Sequence, residues 1–188
     1  NADLNGDSLV NVSAEERKKA LVGYALPKNI KKMQADMEKY KIFYDKWFFE
    51  SELHKSGAVK AVVDLLTKKG LTYEKDGAVW YKNKEVLTQK LLKEGKSQKY
   101  IDNLELKDDV LIRQNGNPTY FTADIAYHKN KFDRGFTTLI DVWGADHHGH
   151  VMRMKGAMDA IGYDGDKLNV VLMQLVKLVK DGELVKMS

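Results

Sequence analysis

The sequence predicts an α/β fold built on a parallel sheet, and three stretches carry that expectation. Residues 138–143 are a short run of apolar and β-branched residues that breaks at Gly144-Ala145-Asp146. Residues 150–161 then read as a helix closed by Gly162. Residues 168–178 are almost continuously apolar and read as the next strand. Strand, glycine turn, helix and strand make the βαβ unit of a Rossmann-like parallel sheet. Such sheets place ligands beyond the carboxyl ends of their strands, and residues 144–150 occupy such an end.

The remaining elements follow in chain order. Ser13, with Glu16 three residues later, has capping-box spacing and opens a helix to about Tyr24. Pro27 interrupts, since it lacks the N–H that an interior helical position donates. A second helix is predicted over 28–41, with Ile30, Met33, Met37 and Tyr40 at helical spacing. Residues 42–49 are short and rich in aromatics, which predicts a strand. The clearest helix covers 55–69: Ala58, Val62, Leu65 and Leu66 form one stripe, and Gly70 stands where a cap glycine belongs. Asp76-Gly77, between 71–74 and 78–81, predicts a tight type I′ hairpin. Asn115-Gly116 gives the same signal between 110–113 and Tyr120-Phe121. The lysine-rich stretch 82–103 between the two hairpins is expected to be helical, and no internal repeat is present.

Composition narrows the function classes. Hydrophobic residues make up 43% of the chain, enough for a core, and two prolines argue against a disordered segment. No apolar run approaches the ~20 residues of a membrane span, and the polar, acidic start lacks the basic region of a signal peptide. The absence of cysteine excludes disulfides, thiolate zinc sites and a cysteine nucleophile, and a cytoplasmic protein fits. The net charge of +4 is weak evidence for nucleic acid. Lys82, Lys84, Lys90, Lys93, Lys96 and Lys99 face only Glu85 and Glu94 within 82–99, which fits a phosphate-backbone contact or, more ordinarily, a solvated helix face. Asn1-Ala2 reads as a cloning scar, and the stop at Lys186-Met187-Ser188 after an apolar run reads as the cut of a longer chain.

Chemistry concentrates in two places. In Gly144-Ala145-Asp146-His147-His148-Gly149-His150, an acid beside glycines at a strand end can hold ribose hydroxyls. Neighbouring imidazoles can donate to a phosphate whose charge grows in a transition state. Two rival readings stay open: a metal site built from Asp146, His147, His148 and His150, disfavoured because adjacent side chains rarely converge, and histidines that only cap the following helix. The likeness of 147–150 to a His-x-Gly-His element is read as accidental, since that element follows a first strand and this one follows a late strand. In the second place, residues 120–128, helical spacing puts Tyr120 and Asp124 on one face. A carboxylate beside a phenol suits a planar guanidinium, which it can pair at two points. On spacing alone, an ordinary helix start with a surface acid is the favoured reading.

These pieces, in this order, resemble the bacterial-type arginyl-tRNA synthetases of class I. The matching blocks are 118–127, 141–149 and Val185-Lys186-Met187-Ser188; Tyr44-Asp45, 48–50, 56–59 and 73–78 also look like the family. The likeness runs from about residue 30 to the end, and 82–107 departs from it like a lineage-specific insertion. The resemblance implies the second half of a class I synthetase nucleotide-binding fold with an inserted α+β segment. It divides the chain into an N-terminal helical or linker segment (1–28), a helix–strand–helix part of the catalytic core (29–70), an inserted hairpin and lysine-rich segment (71–108), and the second half of the Rossmann-like core (109–188).

The resemblance further implies an arginine–tRNA ligase: ATP-dependent formation of arginyl-adenylate, then transfer to tRNA(Arg), in a cytoplasmic enzyme whose full-length form is monomeric. The positions matching Tyr120 and Asp124 contact the arginine side chain, with Asp146 beside the amino acid. Gly144, Asp146 and His147 lie beside the ATP ribose, and Gln174, Leu175 and Val176 lie along adenine. Lys186, Met187 and Ser188 begin a KMSKS-type loop on the ATP phosphates, and catalysis is implied for Lys186, Ser188 and His147. Mg2+ is expected to arrive with ATP, with no protein-bound metal. No upstream segment reads as the family's HIGH element, and the KMSKS-type loop stops after its serine, so this polypeptide is expected to be inactive or nearly so.

Overall fold

The computed structural model describes residues 6–174 and 176–185. The chain divides into two compact units, Asn1–Phe48 and Phe49–Ser188. In the first, helix α1 (Ala14–Lys39) starts at the expected capping box. Glu16 N donates to Ser13 Oγ at 3.3 Å, and Ser13 N donates to Glu16 Oε2 at 3.1 Å. Two helices broken at Pro27 were expected; α1 runs through that proline as one. A proline removes a single rung of the helical ladder, and Lys28 stitches the same stretch by donating to the Tyr24 hydroxyl at 2.6 Å, one turn back. Residues 42–49, expected as a strand, form none. The described residues of this unit hold no strand to pair with, and an unpaired strand leaves its backbone groups without partners. Their rings instead meet each other, Tyr44 and Trp47 edge to face at 5.5 Å.

The second unit opens with α2 (Glu50–Lys55), a short helix that was not expected, and α3 (Ala58–Lys68), which is the helix expected over 55–69 with a later start. The break between them is at Gly57, whose φ of 76° is left-handed. Strands β1 (Thr72–Lys75) and β2 (Ala78–Tyr81) form the expected hairpin, with Asp76 and Gly77 both at positive φ, 53° and 72°. The lysine-rich stretch is helical as α4 (Asn83–Lys93) and α5 (Gln98–Asp102). Strand β3 (Asp109–Ile112) completes an antiparallel sheet in the order β1-β2-β3.

No second hairpin follows Asn115-Gly116. A single bridge, Ile112 to Pro118, forms before the chain enters α6 (Tyr120–Asp133). Pro118 has no N–H for a ladder, and Thr119 next to it caps the helix. The expected βαβ unit is present: β4 (Leu139–Gly144), a short 3-10 turn Ala145–His147, α7 (His148–Ile161), a second 3-10 turn Gly165–Lys167, and β5 (Leu168–Met173). Strands β4 and β5 pair in parallel, from Leu139 with Leu168 to Gly144 with Met173. A separate hairpin, β6 (Leu178–Lys180) and β7 (Glu183–Val185), follows.

The core of this unit lies among the helices. α3 packs on α6 and α7, α4 on α7, and α7 on β5. Val62, Leu66, Leu87, Ile125, Met154 and Met158 are its most deeply buried large apolar side chains on those helices. Burying each stabilises the fold by about 1.5–3 kcal/mol relative to exposure.

Candidate functional site

Hydrogen bonds fix where α6 begins. The Thr119 hydroxyl donates to the Val110 carbonyl at 2.8 Å, and the Thr122 hydroxyl donates to the Leu111 carbonyl at 2.7 Å. Both tie the first turn of the helix to β3. Phe121, Ile125 and Ala126 point into the core. Tyr120 and Asp124 therefore share the outer side of the helix, one turn apart. Tyr120 is 78% exposed. The Asp124 side chain is 48% exposed, and its Oδ2 lies 3.3 Å from His150 Nε2 on α7.

The second group gathers where β4 ends. Because β4 and β5 are parallel and Gly144 pairs with Met173, Gln174 emerges at the same end as the Gly144–His147 turn. A Cβ at Gly144 would overlap the Asp146 carboxylate, so that exposed side chain would have to swing aside. Asp146 and His147 are exposed, with 3.7 Å between His147 Nε2 and Asp146 Oδ2. Val176 is exposed just beyond. Trp143, the last side chain before the turn, touches the rings of His147 at 6.4 Å, His150 at 5.2 Å and His128 at 6.2 Å.

Below Trp143 lies a buried polar knot. Asp141 accepts from Lys131 at 2.7 Å on one oxygen and lies 2.5 Å from His128 Nε2 with the other. His128 Nδ1 is 2.7 Å from the Asp124 carbonyl. Burial pushes the Asp141 carboxyl up, but the hydrogen bonds from His128 and Lys131 outweigh it and hold the group below the usual carboxylate range. This knot links the strand ending at Gly144 to the helix carrying Asp124. A second ion pair, Arg153 on α7 with Asp109 on β3, holds those elements together at two points. There burial pushes Asp109 up more than the guanidinium pulls it down.

The structure thus brings Asp124 near the turn through His150, and sets Gly144, Asp146, His147 and Gln174 at one strand end. Leu175, Lys186, Met187 and Ser188 lie outside the described residues. Among the described residues, no group of three His, Cys, Asp or Glu side chains could hold a metal ion. Sequence reading missed the His128–Asp141–Lys131 knot and the pairing of His150 with Asp124. One signal was present: alternation along β4 puts Asp141 on the inward side with Leu139, and a buried acid needs partners.

Compared with known proteins, the chain matches no family model. It is 52% identical over 187 residues, 99% of its length, to the arginine–tRNA ligase of Caldanaerobacter subterraneus subsp. tengcongensis. It is 49% identical over 186 residues to that of Ruminiclostridium cellulolyticum. Over nearly its whole length the chain matches one part of the arginyl-tRNA synthetases. It spans 30% of the length of both these synthetases. A Campylobacter jejuni crystal structure described as an arginyl-tRNA synthetase superposes with a TM-score of 0.73 at 34% identity, over 98% of this chain and 38% of that one. The Thermus thermophilus arginyl-tRNA synthetase shares the fold, with a TM-score of 0.64 at 18% identity over 85% of this chain and 32% of its own.

Proposed function

We propose that this chain forms the arginine- and adenosine-binding part of an arginine–tRNA ligase, within the second half of a Rossmann-like nucleotide fold. The observation that carries the reading is the convergence of Asp124 with the Gly144–His147 turn at one end of the β4–β5 pair. In this reading the Asp124 carboxylate pairs with the substrate guanidinium at two points, and the Tyr120 hydroxyl accepts a further N–H. Asp146 holds the amino acid and the ribose, and the glycine at 144 lets the nucleotide approach the backbone. Gln174, with Leu175 and Val176, lies along adenine. Arginine and ATP then give arginyl-adenylate and pyrophosphate, and the terminal ribose of tRNA(Arg) takes the arginyl group. Lys186, Ser188 and His147 stabilise phosphate charge as it develops, and Met187 belongs to the same ATP-binding loop. Mg2+ comes bound to the ATP phosphates and supplies charge neutralisation there. A cytoplasmic setting follows from the same reading; among the described residues, no helix is long and apolar enough to cross a membrane.

Calorimetric titration of arginine, with lysine as control, into this chain and its Asp124→Ala variant tests the site. Binding of arginine alone, lost in the variant, is expected. Equal binding by both proteins would sink the assignment of Asp124. We also propose that residues 1–188 by themselves catalyse little adenylate formation, since they span 30% of the synthetases they match. Arginine-dependent ATP–pyrophosphate exchange by the purified chain would overturn that.

A further inference from the structure

His150 is the third residue of α7, and its ring stands where three elements meet. Nε2 faces Asp124 Oδ2 on α6 at 3.3 Å. The ring lies edge-on to Phe121 at 5.6 Å and tilted against Trp143 of β4 at 5.2 Å. Its side chain is 17% exposed, so the imidazole is held while the Asp124 carboxylate beside it is open. The other acid near His150, Asp109, is already paired at two points by Arg153, whose guanidinium covers the far side of the Phe121–Asp109 corner at 4.8 Å from the Phe121 ring.

We propose that His150 is the positioning residue for the Asp124 carboxylate. This rests on the reading of Asp124 as a guanidinium acceptor. An ionised carboxylate offers roughly four lone-pair sites. One N–H from His150 takes a single site on Oδ2 and leaves Oδ1 and the rest of Oδ2 for a planar, two-point cation. A free aspartate must stop two side-chain rotations when ligand arrives; one already held from behind loses less entropy on binding. His150 contributes orientation, and Asp124 makes the contact.

The test uses the full chain labelled with nitrogen-15 in histidine, with the His150 ring signal assigned by its loss in His150→Gln. In Asp124→Asn that signal is expected to shift, and in the unsubstituted chain arginine, not lysine, is expected to shift it. Arginine affinity should fall about tenfold in His150→Leu, a charged hydrogen bond lost, and recover to within about threefold in His150→Gln, which keeps an N–H donor. Circular dichroism of each variant separates this from unfolding. A His150 signal indifferent to Asp124→Asn, or equal affinity losses in the Leu and Gln variants, would overturn the proposal even if the unsubstituted chain binds arginine. A signal that follows Asp124→Asn while arginine has no effect would support the pairing and reject the arginine site.

Discussion

Asp141 is 8% exposed and is the point on which His128, Lys131 and β4 close. Replacing it by asparagine removes the charge but leaves a buried imidazole and a mostly buried ammonium facing a neutral amide. Loss of one member of such a network costs about 3 kcal/mol, so Asp141→Asn should lower the urea midpoint by that equivalent at pH 7. The sign with pH follows from its lowered carboxyl. Unfolded, an aspartate titrates at about 3.9, whereas folded Asp141 keeps its charge to lower pH. Its stabilisation is therefore whole above that value and drains away as pH falls through the folded one. Urea midpoints between pH 7 and pH 3 should drop more steeply in the unsubstituted chain than in Asp141→Asn; parallel curves would refute the assignment. At Tyr120, exposed and contributing one hydroxyl to the proposed arginine site, Tyr120→Phe should weaken arginine binding only about three- to tenfold. Asp124→Ala should abolish it, and calorimetry can rank the two.

Between helices, α4 approaches α7 closely at Gly156. A Cβ at this position would come within 2.6 Å of Leu87 Cδ2, and Leu87 is buried. Alanine is the better helix former by about 1 kcal/mol, but overpacking a filled core costs about 1–3 kcal/mol, so Gly156→Ala should destabilise by about 1 kcal/mol. Leu87→Val in the same chain should return part of the loss, measured as a non-additive urea midpoint. That contact was illegible in the sequence, since glycine inside a helix reads only as a weak former. The βαβ unit was legible because each of its parts has a local signature: a strand run at 138–143, an apolar run from 168 whose strand ends at Met173 and not at 178, and Gly162 at the helix end. Residues 42–49 misled because aromatic content describes a residue's taste for strands, not whether a partner strand exists. Pro27 misled in the other direction, one lost rung being too little to end a helix of 26 residues. Spacing put Tyr120 and Asp124 on one face of α6 but favoured a surface acid there, and it was the family resemblance that singled out Asp124 together with the turn after β4. Their meeting through His150 could not be read, since 26 positions separate His150 from Asp124 and only the packing of α6 on α7 closes that distance.

At the scale of the whole second unit, the β4–β5 pair is covered on one side only. Leu139, Asp141 and Leu168 face the helices and are buried, while Ile140, Val142, Val171 and Met173 alternate with them and are exposed. Val142 pairs directly with Val171, so the apolar side chains form one patch rather than scattered points. A patch of this kind on a parallel pair, with both outer strand edges unpaired among the described residues, drives association with whatever apolar surface is available. In a solution of this chain alone, that surface is another copy. Sedimentation velocity at rising concentration should therefore show mass increasing beyond the monomer. Val142→Lys together with Val171→Lys places two charges at the centre of the patch without touching the buried face. The double variant should stay monomeric over the same range while keeping its circular dichroism spectrum, because the residues it changes make no core contact that the fold needs. Association undiminished in the double variant would locate the sticking surface elsewhere, with the exposed apolar side chains of α1, among them Leu21, Val22 and Met33, next in line.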